Sequence, residues 1–436
     1  MNNIEKIVKE FSDSSDLDGI PNLSTEKWKD LNINYTKQEI KEGLARYIID
    51  RKPKFPFRKI DLTTVKNKFK SLSKEDLSQY IITPDKDKVV EKYNDYKYPY
   101  SKHGLFLIEG GHYYNDISNY FQQENRLSCP SYGFASPIDI WNDYNLLLKM
   151  NWIFWRMGTT TINETNIRGS FRLGAYVATQ FKPHVATVLY DLRDSKHVLD
   201  LSMGWGDRLA GFYASNATHY YGCDPNPHSF ELYKQQIIAY ESFLGNTKSF
   251  FQQIDENTWL YEGIKTVYMQ NLPAEDSNVF DQAQMDCVFT SPPYYSTELY
   301  NKGGEKEEDQ SWHRYPDYND WLNKFYLPVM KRAYDCLSYH GMMMINIMDP
   351  TIKGKRYRTC DEMVDYITSI GGNFIGQIGM KIKQRPKKMG KEELLEHLSA
   401  DFIENIWCFS KTKYKWLPIK KRATLENLME DYYDKR

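Results

Sequence analysis

No run in this 436-residue chain approaches the roughly 20 apolar residues that a membrane-spanning helix needs, so no span is expected. The opening stretch, MNNIEKIVKEFSDSS, has no apolar signal core. Cysteine is scarce. Cys129, Cys223, Cys287, Cys336, Cys360 and Cys408 are scattered, and no pair has the spacing of a metal site or a redox motif. They are expected to be reduced and mostly buried, in a soluble intracellular protein: cytoplasmic if prokaryotic or viral, otherwise nuclear. No metal is expected. Net charge is −1, so no global basic field holds a polyanion. The G-x-G-x-x-G fingerprint of dinucleotide binding and the G-K-[ST] of triphosphate binding are both missing. Repeats and low-complexity tracts are missing too.

What is present is a hydrophobic fraction of 41%, enough for a large core, and many aromatic rings, with 34 Tyr. Tyrosines stack on planar ligands and bases, and they also fill ordinary cores. Charge is patchy. RKPKFPFRK (51–59), KGKRYR (353–358) and KIKQRPKKMGK (381–391) are basic, and GGEKEEDQ (303–310) is acidic. Such runs are either solvated surface or local stripes for a polyanion.

Residues 1–150 show no strand–helix rhythm. Thr36 and Glu39 make a capping box before TKQEIKEGLARYIID (36–50), with Ile40, Leu44 and Ile48 on one face. SKEDLSQYI (73–81) is expected to be a helix capped by Ser73. SPIDIWNDYNLLLKM (136–150) reads as another, with Ser136 as cap and Pro137 in its first turn. The division expected is a mainly helical accessory region at 1–150, possibly for target recognition, and a second domain at 151–436.

From about residue 170 strands and helices alternate. Strands are expected at 197–203, 219–226, 265–270, 285–291, 341–349, 373–382 and 402–411. Helices are expected at 227–244, 321–337 (broken or kinked at Pro328) and 360–371. The fold class is α/β: a doubly wound, mostly parallel sheet, with an antiparallel pair at the C-terminal edge.

In such a sheet ligands bind beyond the carboxyl ends of the strands. After the first of these strands, DLSMGWGDR carries Gly204 and Gly206, which let backbone approach a ligand, or simply make a tight turn. After the second, GCDPN carries Asp224, 24 residues past Asp200. An acid there is placed for ribose hydroxyls, and is equally placed to cap the next helix. The two loops together point to an adenosine-containing ligand. After the third, NLPAED offers Glu275 or Asp276 to an adenine amino group, or is a solvated turn.

After the fourth comes VFTSPPYY (288–295). An exocyclic amino nitrogen on cytosine or adenine is a poor nucleophile, because its lone pair is delocalised into the ring. A site that accepts both of its N–H groups turns that lone pair outward. Ser291 offers a side-chain oxygen. Pro292 and Pro293 fix the chain so that a carbonyl points into the same space, and Pro293 brings no competing donor. Tyr294 offers a face for an extruded base. The plain alternative is a strand ended by a Pro-Pro turn.

Ser291-Pro292-Pro293-Tyr294 resembles the hallmark of S-adenosylmethionine-dependent amino-methyltransferases, the class of DNA cytosine-N4 and adenine-N6 methyltransferases. Asp200 to Gly206 is similar to the family's cofactor motif, Asp224 to its ribose-binding acid, QFKPHVATVLYD (180–191) to its Lys-Pro element, and ENIWCFSK (404–411) to its closing strand. SMGWG departs from the common Gly-x-Gly pattern, and the cofactor motif precedes the catalytic one, the reverse of many Ser-Pro-Pro-Tyr enzymes. The resemblance spans roughly 170–411. It implies a Rossmann-like methyltransferase sheet, S-adenosyl-L-methionine as cofactor, and DNA ahead of RNA as partner. It implies a catalytic set of Ser291, Pro292, Pro293 and Tyr294. The implied cofactor set is Phe181, Lys182, Asp200, Ser202, Gly204, Gly206, Asp224, Asn226 and Glu275. Serine in the first position leans toward cytosine N4, with adenine N6 as runner-up. A catalytically silent scaffold that binds nucleic acid is the alternative from another class. His313 and Arg314, in the long polar segment 296–321, and Lys383, Arg385, Lys387 and Lys388, past a strand end, are expected to touch nucleic acid.

Overall fold

The computed structural model describes residues 2–150, 152–156, 158–246, 250–383 and 399–412. The chain divides into two compact units. The first is Met1–Lys59, Gln123–Thr179 and Glu298–Lys302; the second is Ile60–Gln122, Gln180–Thr297 and Gly303–Arg436. This differs from the expected boundary at 150. Residues 60–122 carry short strands that join the sheet of the second unit, and strands this short leave little periodicity to read.

The first unit is helical. Thr36 Oγ1 accepts from Glu39 N at 3.2 Å and Glu39 Oε2 from Thr36 N at 2.8 Å, closing the expected capping box on helix Lys37–Arg51. Ile40, Leu44 and Ile48 are buried along that helix. The segment 136–150 is two helices, not one: Pro137–Asn142 and Tyr144–Lys149. Asp143 leaves the helical region between them and caps the second, its Oδ1 accepting from Leu146 N at 2.8 Å. Aromatic rings fill the core, with Phe55 5.5 Å from Trp141 and 5.0 Å from Phe171.

The strands of the second unit begin with β1 (Ile81–Ile82), β2 (Val89–Val90) and β3 (Gly104–Ile108). Then come β4 (His197–Asp200), β5 (His219–Cys223), β6 (Phe251–Asp255), β7 (Thr258–Glu262), β8 (Thr266–Gln270), β9 (Met285–Thr290) and β10 (Leu337–Asn346). β11 (Thr351–Ile352) and β12 (Lys355–Arg356) form a separate hairpin, and β13 (Asn373–Lys381) and β14 (Asp401–Ser410) follow. The main sheet runs β1-β3-β13-β14-β10-β9-β4-β5-β8-β7-β6, with β2 against β14. β10, β9, β4, β5 and β8 are parallel neighbours. β14 runs antiparallel between β10 and β13, as expected for the C-terminal pair. The chain is α/β, a mostly parallel Rossmann-like sheet with helices.

The parallel strands are buried on both faces, so they read as apolar runs rather than alternations. In β9, Cys287 and Phe289 join one core and Val288 the other. The helix expected at 73–81 is instead a short 3-10 turn, Leu77–Tyr80, capped by Asp76. Ser73 ends the preceding helix, Leu62–Leu72, which Asp61 caps through Thr64 N at 2.8 Å. That helix presents Val65, Phe69 and Leu72 to the core, and Phe69 stacks on Tyr240 at 5.4 Å. The segment expected to break or kink at Pro328 changes character there: Trp321–Tyr326 is a π-helix and Leu327–Asp335 an α-helix. Proline gives Lys324 no N–H to accept, so the preceding turn opens. Among the described residues no helix is long and apolar enough to cross a membrane.

Candidate active site

From β4 the chain moves to β5 on one side, while β9 lies on the other. The crevice beyond the carboxyl ends of β4 and β9 is therefore the switch point of the sheet. The loops that follow β4, β5 and β9 meet there.

The loop after β4 turns on two glycines. Gly204 has φ +58° and Gly206 φ +68°, both left-handed. A Cβ at Gly206 would stand 2.2 Å from Gln236 Oε1. A Cβ at Gly204 would stand 3.7 Å from Ser202 O and 3.9 Å from Arg208 Nη2, ordinary van der Waals contacts with no clash. Gly204 N donates to Asp224 Oδ2 at 2.8 Å, which ties this loop to the one after β5. Tyr233 Oη donates to the Gly204 carbonyl from the next helix.

Asp224 does not cap that helix. Asn226 does, its Oδ1 accepting from His228 N at 3.0 Å and Ser229 N at 3.3 Å. Asp224 Oδ1 accepts from Asn226 N at 3.0 Å. Burial pushes the Asp224 carboxyl up to about 6, against the opposing hydrogen bonds from Asn226 and Gly204. Asn271, past β8, donates from Nδ2 to the Asp224 carbonyl at 2.9 Å.

Asp200 is set apart from the loops. It is fully buried, and its Oδ2 accepts from Arg208 Nε at 2.9 Å and from Tyr220 Oη at 2.6 Å. Its Oδ1 accepts from Ser202 N at 3.3 Å. The carboxylate thus serves as an internal counter-ion, which differs from the direct ligand contact expected of it. Arg208 Nη2 also donates to the Ser202 carbonyl.

Ser202 joins the first loop to the Ser-Pro-Pro-Tyr segment. Its Oγ donates to the Ser291 carbonyl at 2.8 Å and lies 3.0 Å from Thr290 Oγ1. Ser291, Pro293 and Tyr294 are half-buried, and Pro292 is buried. Tyr294 Oη reaches Glu404 Oε1 at 2.9 Å and the Asn346 carbonyl at 3.2 Å. Burial, with the Glu404 carboxylate beside it, holds the Tyr294 hydroxyl well above its ordinary range. Tyr295 is an anchor instead. Its φ is +53°, and its ring packs on Tyr318, Trp321 and Tyr357 at 5.5, 5.7 and 5.6 Å.

Phe181 packs on Phe289 at 5.3 Å, with the Arg208 guanidinium 5.8 Å over its ring. Lys182 precedes helix Pro183–Asp191, is 8% exposed, and its ammonium forms no hydrogen bond or ion pair among the described residues. Burial lowers its pKa, opposed by Glu404 and Asp207. Glu275 accepts from Arg314 Nη1 at 2.7 Å through Oε1, while its buried Oε2 has no hydrogen-bond partner among the described residues. Arg314 Nη2 also pairs with Asp276 at 2.8 Å. Arg314, expected at nucleic acid, is thus committed to two carboxylates. His313 and Lys383 are exposed. Arg385, Lys387 and Lys388 lie outside the described residues.

Sequence reasoning assigned no role to Glu404, Asn346, Arg208, Tyr233 or Asn271. Glu404 had a legible signal. It is a lone carboxylate inside the apolar strand FIENIWCF, where a charge requires a partner.

Residues 285–435 match a family model described as DNA methylase, of the N6/N4 methyltransferase type. This bears out the resemblance to the DNA cytosine-N4/adenine-N6 methyltransferase class, and S-adenosylmethionine is the cofactor that accords with it. No curated protein matches the chain. Among solved structures, the chain is similar to Trm1 from Pyrococcus horikoshii, described in complex with S-adenosyl-L-methionine. Identity there is 12% over 53% of this chain and 56% of that one, with a TM-score of 0.32. It is similar to an rRNA methylase from Streptococcus thermophilus, at 13% identity over 54% and 100%, TM-score 0.30. It is also similar to an O-methyltransferase family protein from Burkholderia thailandensis, at 11% identity over 69% and 72%, TM-score 0.31.

Proposed function

We propose that this chain transfers a methyl group from S-adenosylmethionine to the exocyclic amino nitrogen of a base extruded from DNA, with cytosine N4 favoured over adenine N6. The observation that carries the reading is the Ser202 Oγ to Ser291 carbonyl bond, 2.8 Å. It couples the glycine loop of the cofactor to the segment that receives the amino group. The family match over that segment supports the same chemistry.

The residues present fit the cofactor. The Asp224 carboxylate accepts from ribose hydroxyls, and the unpartnered Glu275 Oε2 accepts from the adenine amino group. The Gly204 position, where an added Cβ would clash with nothing, lets the ligand lie against the backbone of that loop. Phe181, Lys182, Ser202, Gly206 and Asn226 complete the wall, and Asp200 acts through Arg208. Bound there, S-adenosylmethionine supplies an electrophilic methyl group.

Ser291 Oγ and the Pro292 carbonyl accept the two N–H groups of the target amine. That pairing turns its lone pair out of conjugation and toward the methyl donor. Pro293 keeps a competing donor away, and the Tyr294 ring stacks on the extruded base. The proton displaced on methylation leaves to water. The helical accessory region is the candidate for reading the target sequence, and His313 and Lys383 are candidates for phosphate contact. Serine at position 291 favours cytosine.

The test is methyl transfer from labelled cofactor to unmethylated DNA, beside single-stranded DNA and RNA, with digestion to nucleosides and identification by mass. N4-methylcytosine supports the reading in full. N6-methyladenine keeps the chemistry and moves the target base. Transfer to RNA alone overturns the substrate. A chain that binds no cofactor by calorimetry is a silent scaffold, and the reading fails.

A further inference from the structure

A second element stands at the same edge of the sheet as the Ser-Pro-Pro-Tyr segment. β9 and β10 are parallel, with Thr290 level with Ile345. Asn346 therefore ends β10 where Ser291 leaves β9. Five residues on, the chain forms the β11–β12 hairpin, pairing Thr351 with Arg356 and Ile352 with Lys355. Lys353 and Gly354 turn it at φ +50° and +81°. Two consecutive left-handed residues are what a two-residue type I′ turn demands. A lysine in that conformation is uncommon, and it persists only where the surroundings hold it.

The base of the hairpin is held. Arg356 Nε donates to Asp349 Oδ2 at 2.8 Å, and its guanidinium lies 3.8 Å over the Tyr93 ring. Arg356 also pairs with Asp95. Tyr93 Oη shares a hydrogen bond with Thr351 Oγ1 at 2.6 Å. Asp349 Oδ1 accepts from Cys360 N at 2.9 Å, which fixes the carboxylate in turn. Arg358 is matched by Asp95 at 3.1 Å and Asp361 at 2.9 Å.

The basic run KGKRYR therefore divides in two. Its arginines are neutralised by carboxylates and build the base. Lys353 and Lys355 are exposed at the tip and form no ion pair among the described residues; the Lys355 ammonium only rides 4.7 Å over the Tyr357 ring. A solvated run would have no need of a strained turn and a clamped base. Two unmatched ammonium groups on a rigid support suit an extended, repeating anion better than a single small one.

We propose that this hairpin grips the phosphodiester backbone of duplex DNA beside the target base, an inference that rests on the DNA reading above. Lys353 is seven residues beyond Asn346, whose carbonyl lies 3.2 Å from Tyr294 Oη. Seven residues reach at most about 25 Å. Over that length a duplex presents about 15 phosphate charges, at one per roughly 1.7 Å of axis. The hairpin is within range of the backbone that flanks an extruded base.

The experiment uses the full chain and a fluorescent duplex, with anisotropy titrations over a series of salt concentrations. Each lysine–phosphate contact contributes about −0.9 to the slope of log K against log salt. The double variant Lys353→Asn/Lys355→Gln removes both charges, and asparagine tolerates the left-handed turn. Its slope is expected to be shallower by about 1.8, roughly twice that contribution, with cofactor affinity and thermal unfolding unchanged. Lys353→Arg/Lys355→Arg is expected to keep the wild-type slope. A double neutral variant with the wild-type slope overturns the hairpin contact and leaves the DNA reading standing. A wild-type chain that binds no duplex, or binds it with a flat salt response, overturns both.

Discussion

Tyr294 Oη donates to Glu404 Oε1 across 2.9 Å, so the last residue of Ser-Pro-Pro-Tyr is held by a carboxylate on β14. β14 lies two strands from β9, beyond β10, and is locked between β10 and β13. The hydroxyl end of the ring is fixed by the sheet itself, and the stacking proposed for its face can be tested apart from that anchor. Tyr294→Ala is expected to lose roughly 1–3 kcal/mol of base stacking. Tyr294→Phe keeps the face and loses only the anchor, so its loss in kcat/KM is expected to be smaller. Glu404→Leu removes the same anchor from the other side. If the two act through one bond, the double variant Tyr294→Phe/Glu404→Leu is no worse than the poorer single one. Fully additive losses in methyl-transfer kinetics would show that Glu404 acts elsewhere.

If Asp224 holds the ribose as proposed, cofactor binding is expected to be sensitive to acid. Burial raises its carboxyl from 3.8 to about 6. A folded-state pKa above the unfolded value means that its contribution to stability is full below the unfolded pKa and is lost as pH rises through about 6. Binding has the opposite sense, because a ribose hydroxyl donates best to the ionised carboxylate. Cofactor affinity is therefore expected to fall as pH drops through about 6. Asp224→Ala should weaken binding and remove that acid limb. Calorimetric titrations across the range test both points. An acid limb that survives in Asp224→Ala would assign it to another group.

The two glycines after β4 are expected to fail differently. At Gly206 an added Cβ meets Gln236 Oε1 at 2.2 Å and must adopt φ +68°. The left-handed conformation alone costs about 1–2 kcal/mol, and the clash adds to it. Gly206→Ala should therefore lower the unfolding midpoint. At Gly204 the backbone strain is similar, but the methyl makes only ordinary van der Waals contacts, the nearest at 3.7 Å. Gly204→Ala should unfold less easily than Gly206→Ala while losing more cofactor affinity. The reverse ranking in thermal scans and calorimetry would move the ligand away from Gly204.

The central strands and the loops after them were legible because chemistry and period coincide there. β4, β5, β8 and β9 are short apolar runs, each followed by a residue of obvious chemical use: Gly204, Asp224, Glu275 and Ser291. The edges were not legible. β6 and β7 pair antiparallel beside β8, yet Gln252, Gln253 and Asp255 give β6 the look of a loop. β3 reaches the sheet by pairing with β13, some 270 residues away, and no local pattern encodes that partner. The pairing of charges was hidden for the same reason. Asp200 and Arg314 look available in a sequence, because the residues that neutralise them are named only by the fold.

Asp200 and Arg208 form a buried pair, 0% and 5% exposed, 2.9 Å apart. Breaking such a pair leaves a charge without a counter-ion, at a typical cost of about 3–5 kcal/mol. Asp200→Asn should therefore destabilise the fold strongly. The amide still accepts from Tyr220 Oη, so the loss reports the missing charge rather than a bare hydroxyl. Adding Arg208→Met removes the stranded cation and should restore much of the stability. It should not restore cofactor binding, because Arg208 Nη2 also donates to the Ser202 carbonyl, and Ser202 Oγ in turn donates to the carbonyl of Ser291. Denaturant unfolding and calorimetry on the single and double variants separate the two roles. Recovery of stability without recovery of binding identifies Arg208 as the support of the Ser202 bridge. No recovery of stability would mean that Asp200 is not its counter-ion.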